Sequence, residues 1–178
     1  MPTQLEEKIN ISVDNLTKIS DVDLADLCNI TEQAISAGGG FGWLRVPTRE
    51  ILNQYWKKIN EDNLTKLIVG RLNGVIAGTL QLSYEATNIE SRKNIAQIKR
   101  HFVAPWARGY GLAKAMIDFS EKISKEDNIK SIQLAVRETQ DAAVQLFSSK
   151  DYKIWGENPF YAFINGSFIK GIYFYKNL

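Results

Sequence analysis

Several residue types are scarce in this chain, and each scarcity excludes something. Its 178 residues include one cysteine, one histidine and four prolines. A single cysteine excludes a disulfide framework, and Cys28, inside a helical apolar pattern, reads as a small buried hydrophobe. No apolar run approaches the roughly 20 residues of a membrane-spanning helix, and the N-terminus lacks a secretory pattern. Asn-x-Ser/Thr triplets at Asn10, Asn15, Asn29, Asn63 and Asn165 have no meaning without secretion, so a reducing cytoplasm is the economical expectation. A strong charge of one sign is also missing. Lys and Arg number 22 against 20 Asp and Glu, giving +2, and the basic residues are scattered. Nucleic-acid affinity needs clustered cations, so no nucleic-acid partner is expected, and no membrane or metal either.

What is present is enough apolar material, 44% of the chain, for one full core, and the expectation is a single domain over 1–178. The patterns predict strand 8–14, helix 21–37, a glycine-rich loop and helix 48–61. Strand 64–71, an Asn73-Gly74 hairpin turn, strand 75–86 and strand 94–104 follow. Helix 109–126, strand 129–137, helix 139–150, strand 152–156, an aromatic loop and strand 168–176 complete the order. A meander followed by a strand-helix-strand unit predicts an α/β (α+β) fold. Its sheet is mixed and mostly antiparallel, of about seven strands, with four flanking helices.

Residues 103–116, Val-Ala-Pro-Trp-Ala-Arg-Gly-Tyr-Gly-Leu-Ala-Lys-Ala-Met, start a helix without capping it. The first N–H groups of a helix need partners, commonly a Ser, Thr, Asp or Asn side chain. The other predicted helices carry one: Ser20 before Asp21, Thr48 before Glu50, and Thr139 before Asp141. The start near Gly109 has Arg108 and Lys114 instead, and no acid before Asp118. Orphan amides, a positive dipole end and two cations describe an anion site, most naturally for phosphate; the alternative is a glycine turn that only opens a helix.

The spacing R-x-x-G-x-A in Arg108-Gly109-Tyr110-Gly111-Leu112-Ala113, between a strand and a helix, resembles the acetyl-coenzyme A signature of the GNAT superfamily of N-acetyltransferases. That resemblance implies acetyl-CoA as co-substrate, its pyrophosphate held by backbone amides from Arg108 through Ala113. Thr139 to Tyr152 is similar to the family's N-x-x-A-x-x-L-Y-x-x-x-G-F helix, with Ala143 and Leu146 matching and Gln140 and Phe147 at its Asn and Tyr positions. Gly38-Gly39-Gly40-Phe41-Gly42-Trp43 before Tyr55-Trp56, with Tyr161 to Ser167 and Phe174-Tyr175-Lys176, is similar to a narrower group. That group contains the tabtoxin-resistance acetyltransferases, which acetylate small amines.

The resemblance further implies a bulged strand end at His101-Phe102-Val103. A backbone amide there would polarise the thioester carbonyl, with Phe102 and Val103 beside the coenzyme. The family's proton-transfer side chains are absent. Gln97 stands at the general-base Glu position, Val136 at an Asp position and Phe147 at the thiolate-protonating Tyr position, and none of these exchanges protons. The replacements available are His101, on Gln97's face unless the bulge intervenes, then Glu85 and Tyr161. His101 reads equally as a buried, hydrogen-bonded histidine, and Tyr152 as core. Phe41, Trp43, Trp56, Phe160 and Tyr161, with Gln97, form the expected acceptor wall. The expectation is direct acetyl transfer to a small-molecule amine by a monomer or homodimer. The alternatives are a catalytically impaired acyl-CoA-binding module and an N-terminal peptide or protein acetyltransferase.

Overall fold

Alternating apolar residues build seven strands, which form one sheet in the order β1-β2-β3-β4-β5-β7-β6. The computed structural model describes residues 9–178 except Gly40 and Thr87. The strands are β1 Ile11–Asn15, β2 Thr65–Leu72, β3 Val75–Tyr84, β4 Ile95–Val103, β5 Ser131–Arg137, β6 Lys153–Ile164 and β7 Ser167–Asn177. The helices are α1 Asp21–Ser36, α2 Arg49–Glu61, α3 Leu112–Glu126 and α4 Asp141–Ser149. Only β4 and β5 run parallel, with α3 as their crossover. This is the predicted mixed α/β architecture.

Asn73 and Gly74 both have positive φ, +50° and +86°, as a two-residue primed turn requires. Asn165 and Gly166 repeat the device with φ of +51° and +80°. The predicted aromatic loop is therefore strand: β6 runs to Ile164 and pairs with β7 through a bulge between Asn158 and Ala162. The same dipeptide signals both hairpins, but Pro159 and the bulge hide the second from alternation.

The two faces of the sheet are covered unequally. On one, Ile132, Leu134 and Val136 of β5 pack with Met116 and Ile117 of α3 and Phe147 of α4. On the other, α1 and α2 pack on β2, β3 and β4. There Trp56 is fully buried, its indole N–H donating to Thr31 Oγ1 at 3.1 Å; truncating such a side chain costs about 3–5 kcal/mol. Among the described residues no helix packs on this second face beyond β4, and Gln133, Ala135 and Arg137 of β5 are only half-buried. This open half-face adjoins the end of β4.

Candidate active site

The start of α3 is built from glycine. Gly111 is its N-cap at φ +79°, in the left-handed region, with no side chain capping the helix and no acid in the first turn. By contrast, Ser20 and Asp23 close a complete capping box on α1. Gly109 sits at φ +87°, and a Cβ added to either glycine would meet nothing within 4 Å. Leu112 is buried, and a Cβ on Gly70 of β2 would lie 2.7 Å from its Cγ, so close packing seats the helix start on the sheet. A 3-10 turn over Pro105–Ala107 joins β4 to this site. That turn takes the Arg108 N–H, which donates to the Pro105 carbonyl at 3.4 Å, so the orphan amides begin at Gly109 rather than Arg108. The predicted contrast between helix starts also narrows. Thr139 does not cap α4, whose N-cap is Gln140 with no side-chain bond, because Gln140 N–H is bound into a turn with the Arg137 carbonyl.

A bulge in β4 organises the neighbouring residues. Gln81 pairs with Lys99 but Thr79 pairs with Phe102, leaving one extra residue in β4. Arg100 occupies it at φ +52°, and the buried Thr79 hydroxyl donates to its carbonyl at 3.1 Å. The extra residue reverses the strand's alternation. Ile98 packs toward α3, whereas Phe102, an even number of residues on, packs toward α1 and α2. Ala104 N–H donates to Ala77 of β3 at 2.7 Å, so the amide of Val103 points the other way, toward β5. β4 and β5 pair only from Ile95 to Gln97 and from Ser131 to Gln133, after which they diverge. The main chain at Val103 thus faces a widening gap.

The bulge separates Gln97 from His101. Gln97 faces the α1/α2 side, while His101 turns toward α3 and α4. There His101 Nε2 lies 3.2 Å from the Ala113 carbonyl, and since a carbonyl only accepts, Nε2 holds the proton. Its ring meets Phe147 edge-on at 5.6 Å. Burial pulls the His101 pKa down to about 4, against the opposing pull of that hydrogen bond, so the ring is neutral and a weak base at pH 7. It holds the bulge to the first turn of α3.

The other predicted site residues divide. Glu85 follows the end of β3 that pairs with the start of β4, some eight residues and roughly 26 Å of strand from Val103, and it is bound to Arg92 at 3.0 Å. The structure does not bring it to the gap. Phe147 is 2% exposed among His101, Tyr152 and Phe174, inside the core beside α3. Phe41 and Trp56 are core as well, stacked edge to face at 5.9 Å, so they back the acceptor wall rather than form it. Trp43 is half-buried against Tyr55 at 5.1 Å, and Phe160 is exposed on the β6–β7 hairpin. Tyr161 lies over Gly171, where an added Cβ would meet its ring at 2.4 Å, and packs on Tyr173 at the margin of the open half-face. Gly40 of the glycine-rich loop is outside the described residues.

A family model described as the acetyltransferase (GNAT) family matches residues 27–151. The chain belongs to this family. It is accordingly an N-acetyltransferase by class. A protein from Azospirillum brasilense, described as an uncharacterized N-acetyltransferase in the hisH-hisA intergenic region, is 41% identical over 131 residues, which is 74% of this chain and 78% of that protein. An acetyltransferase of the GNAT family from Streptococcus pneumoniae superposes with a TM-score of 0.74 at 19% identity, covering 95% of this chain and all of that one. A phosphinothricin acetyltransferase from Sinorhizobium meliloti, solved in complex with acetyl-CoA, superposes with a TM-score of 0.77 at 14% identity, covering 94% and 88% of the two chains.

Within this acetyltransferase, four residues near the gap escaped the sequence reading: Tyr55, Lys99, Arg100 and Arg137. Tyr55 Oη accepts from Gln81 Nε2 at 2.8 Å, and Arg137 donates to the Gly38 carbonyl at 2.9 Å. Tyr55 was legible beside Trp56 as the polar-tipped member of an aromatic pair. Arg100 was not, because its placement depends on the bulge in β4.

Proposed function

We propose that this chain transfers an acetyl group directly from acetyl-CoA to the amine of a small molecule. The observation that carries the reading is the uncapped, glycine-built start of α3 beside the divergence of β4 and β5. The residues fit the coenzyme: space is open over Gly109 and Gly111 for a pyrophosphate, and the amides from Gly109 to Ala113 with Lys114 supply donors and charge. The amide of Val103, facing the gap, is the oxyanion donor. When bound, the coenzyme supplies an acetyl thioester: the amine nitrogen bonds the carbonyl carbon, the C–S bond breaks, and the thiolate takes up the proton the amine gives up.

Proton transfer relies on solvent. An alkylamine is neutral in roughly one molecule per 2,500 at pH 7, a penalty of about 4.6 kcal/mol. A positioned acid or base is worth about 10²- to 10⁴-fold, and proximity about 7–11 kcal/mol, so its absence slows the reaction without stopping it. The open half-face lets water reach the amine. The narrower likeness to tabtoxin-resistance enzymes gains support from the loop at Trp43 and the hairpin at Tyr161, which flank this same face. We read residues 1–178 as one domain acting in the cytoplasm.

Thiol release from acetyl-CoA across a panel of amines tests the proposal, with release above the hydrolysis blank expected for at least one. No release with any amine, alongside calorimetric binding of coenzyme A, would favour the acyl-CoA-binding module instead.

A further inference from the structure

The open half-face is cationic, and among the described residues its cations have no carboxylate partners. Lys99 and Arg100 sit on β4 at the bulge and Arg137 ends β5 across the gap. Among the described residues no carboxylate lies within ion-pair distance of any of the three. Glu138, next in the chain to Arg137, and Glu157 of β6 are engaged elsewhere, both pairing with Lys170. Arg100 is the most constrained cation. Its backbone is fixed at φ +52° by the bulge and by Thr79, and its guanidinium lies beside Gly42, where an added Cβ would stand 3.8 Å from Nη2. Its Nε is buried and, among the described residues, makes no hydrogen bond.

A buried N–H without a partner is costly, more so on a charged group, and surface arginines normally avoid that by turning to water or to an acid. Here a strained backbone points the fork into the loop beside the gap, next in chain to His101 and three residues from the Val103 amide. Guanidinium suits planar two-oxygen acceptors. We propose that Arg100 receives a carboxylate of the acceptor, so that the acceptor class is an amine carrying a carboxylate, an amino acid in the broad sense. The inference rests on the direct-transfer reading above. Lys99 and Arg137 supply a field of the same sign, and Trp43 with Tyr55 offers an aromatic flank for a side chain.

The test compares amino acids with their primary amides, read by thiol release from acetyl-CoA at one pH. The amide carries the less basic amine, so chemistry alone favours it. For at least one pair the wild type is expected to prefer the acid by tenfold or more in kcat/KM. Arg100→Gln should bring that ratio close to one through the KM of the acid, and Arg100→Lys should restore part of it. Equal rates for acids and amides, or turnover only of amines without a carboxylate, would overturn the inference and leave the transfer reading standing. Failure of every amine to release thiol above the hydrolysis blank would overturn that reading and the inference with it. A fall in Arg100→Gln that is equal for acids and amides and is not rescued by Arg100→Lys would show that Arg100 only supports the bulge.

Discussion

The two halves of the site are made of different material. At the start of α3 the donors are main-chain amides, opened by Gly109 and Gly111 at φ +87° and +79°, and no side chain caps the helix end. Across the gap, the open half-face of β4 and β5 presents side chains, Gln97, Lys99, Arg100, Gln133 and Arg137, on a main chain already committed to the sheet. A backbone-built half is insensitive to the identity of most residues and intolerant at its glycines. A side-chain-built half is the reverse: any one residue can change without disturbing the fold, and each change alters chemistry. On the proposed reading, coenzyme binding rests on main chain and acceptor choice on side chains.

The comparison breaks most visibly at Gly111. A β-branched residue at φ +79° is strained and also fills space that is open beside the N-cap. Gly111→Val should weaken coenzyme A binding by about 100-fold or more, whereas Arg108→Ala, which removes an exposed side chain, should weaken it only a few-fold. Calorimetric titration of both variants, with thermal melts to confirm folding, decides this. Similar small losses in the two would move the anion site away from α3.

The same contrast explains what could be read in advance. Glycine spacing, the missing cap and helical periodicity are local, so the α3 start, the element order and the Asn73-Gly74 turn were all legible. Arg100 at φ +52° was not, since nothing in Lys99-Arg100-His101 marks an inserted residue, yet that one residue decides which face each neighbour occupies. His101 and Gln97 consequently lie on opposite sides of the sheet. Burial misled in a second way. Phe41 and Trp56 read as wall because aromatics serve walls and cores alike, and only the packing of α1 and α2 shows them to be core. The Phe147 ring is likewise enclosed, so an added phenol would have to find a partner in an apolar setting.

A smaller effect sharpens the side-chain half. Gln97 faces the open side, in register with Ser83 and Gln133, and among the described residues no carboxylate pairs with Lys99 on the same strand. Gln97→Glu should place a base on the acceptor side and raise turnover of a high-pKa amine at neutral pH by about 10- to 100-fold. The wild-type rate should climb with pH toward the pKa of the amine itself, without an inflection near pH 6.5, and the variant should level off earlier. Initial rates from pH 6 to 10 for both proteins measure this. An early wild-type plateau would reveal a working base already present in the gap.

The smallest effect concerns the residue that joins the two halves. His101 is held neutral with a pKa near 4, below its ordinary 6.5, because its surroundings disfavour the imidazolium. A histidine depressed on folding contributes stability that is fully present above the unfolded-state pKa and is lost as pH falls toward the folded-state pKa. For His101 that window runs from about pH 6.5 down to about 4. The carboxylates held low by their partners, Asp23 by Ser20 and Arg71 and Asp127 by Lys66 and Tyr84, lose their contribution only below the usual carboxylate range. Between pH 7.5 and 5 the wild type should therefore lose on the order of 1–2 kcal/mol of unfolding free energy through this one group. His101→Gln keeps a donor for the Ala113 carbonyl and cannot titrate, so its stability should stay nearly flat over the same interval. Urea melts at four or five pH values separate the two. Parallel slopes in wild type and variant would mean that His101 keeps its ordinary pKa in the folded protein, and below about pH 6.5 a protonated imidazole beside the first turn of α3 would then add to the positive charge there instead of merely bracing the bulge.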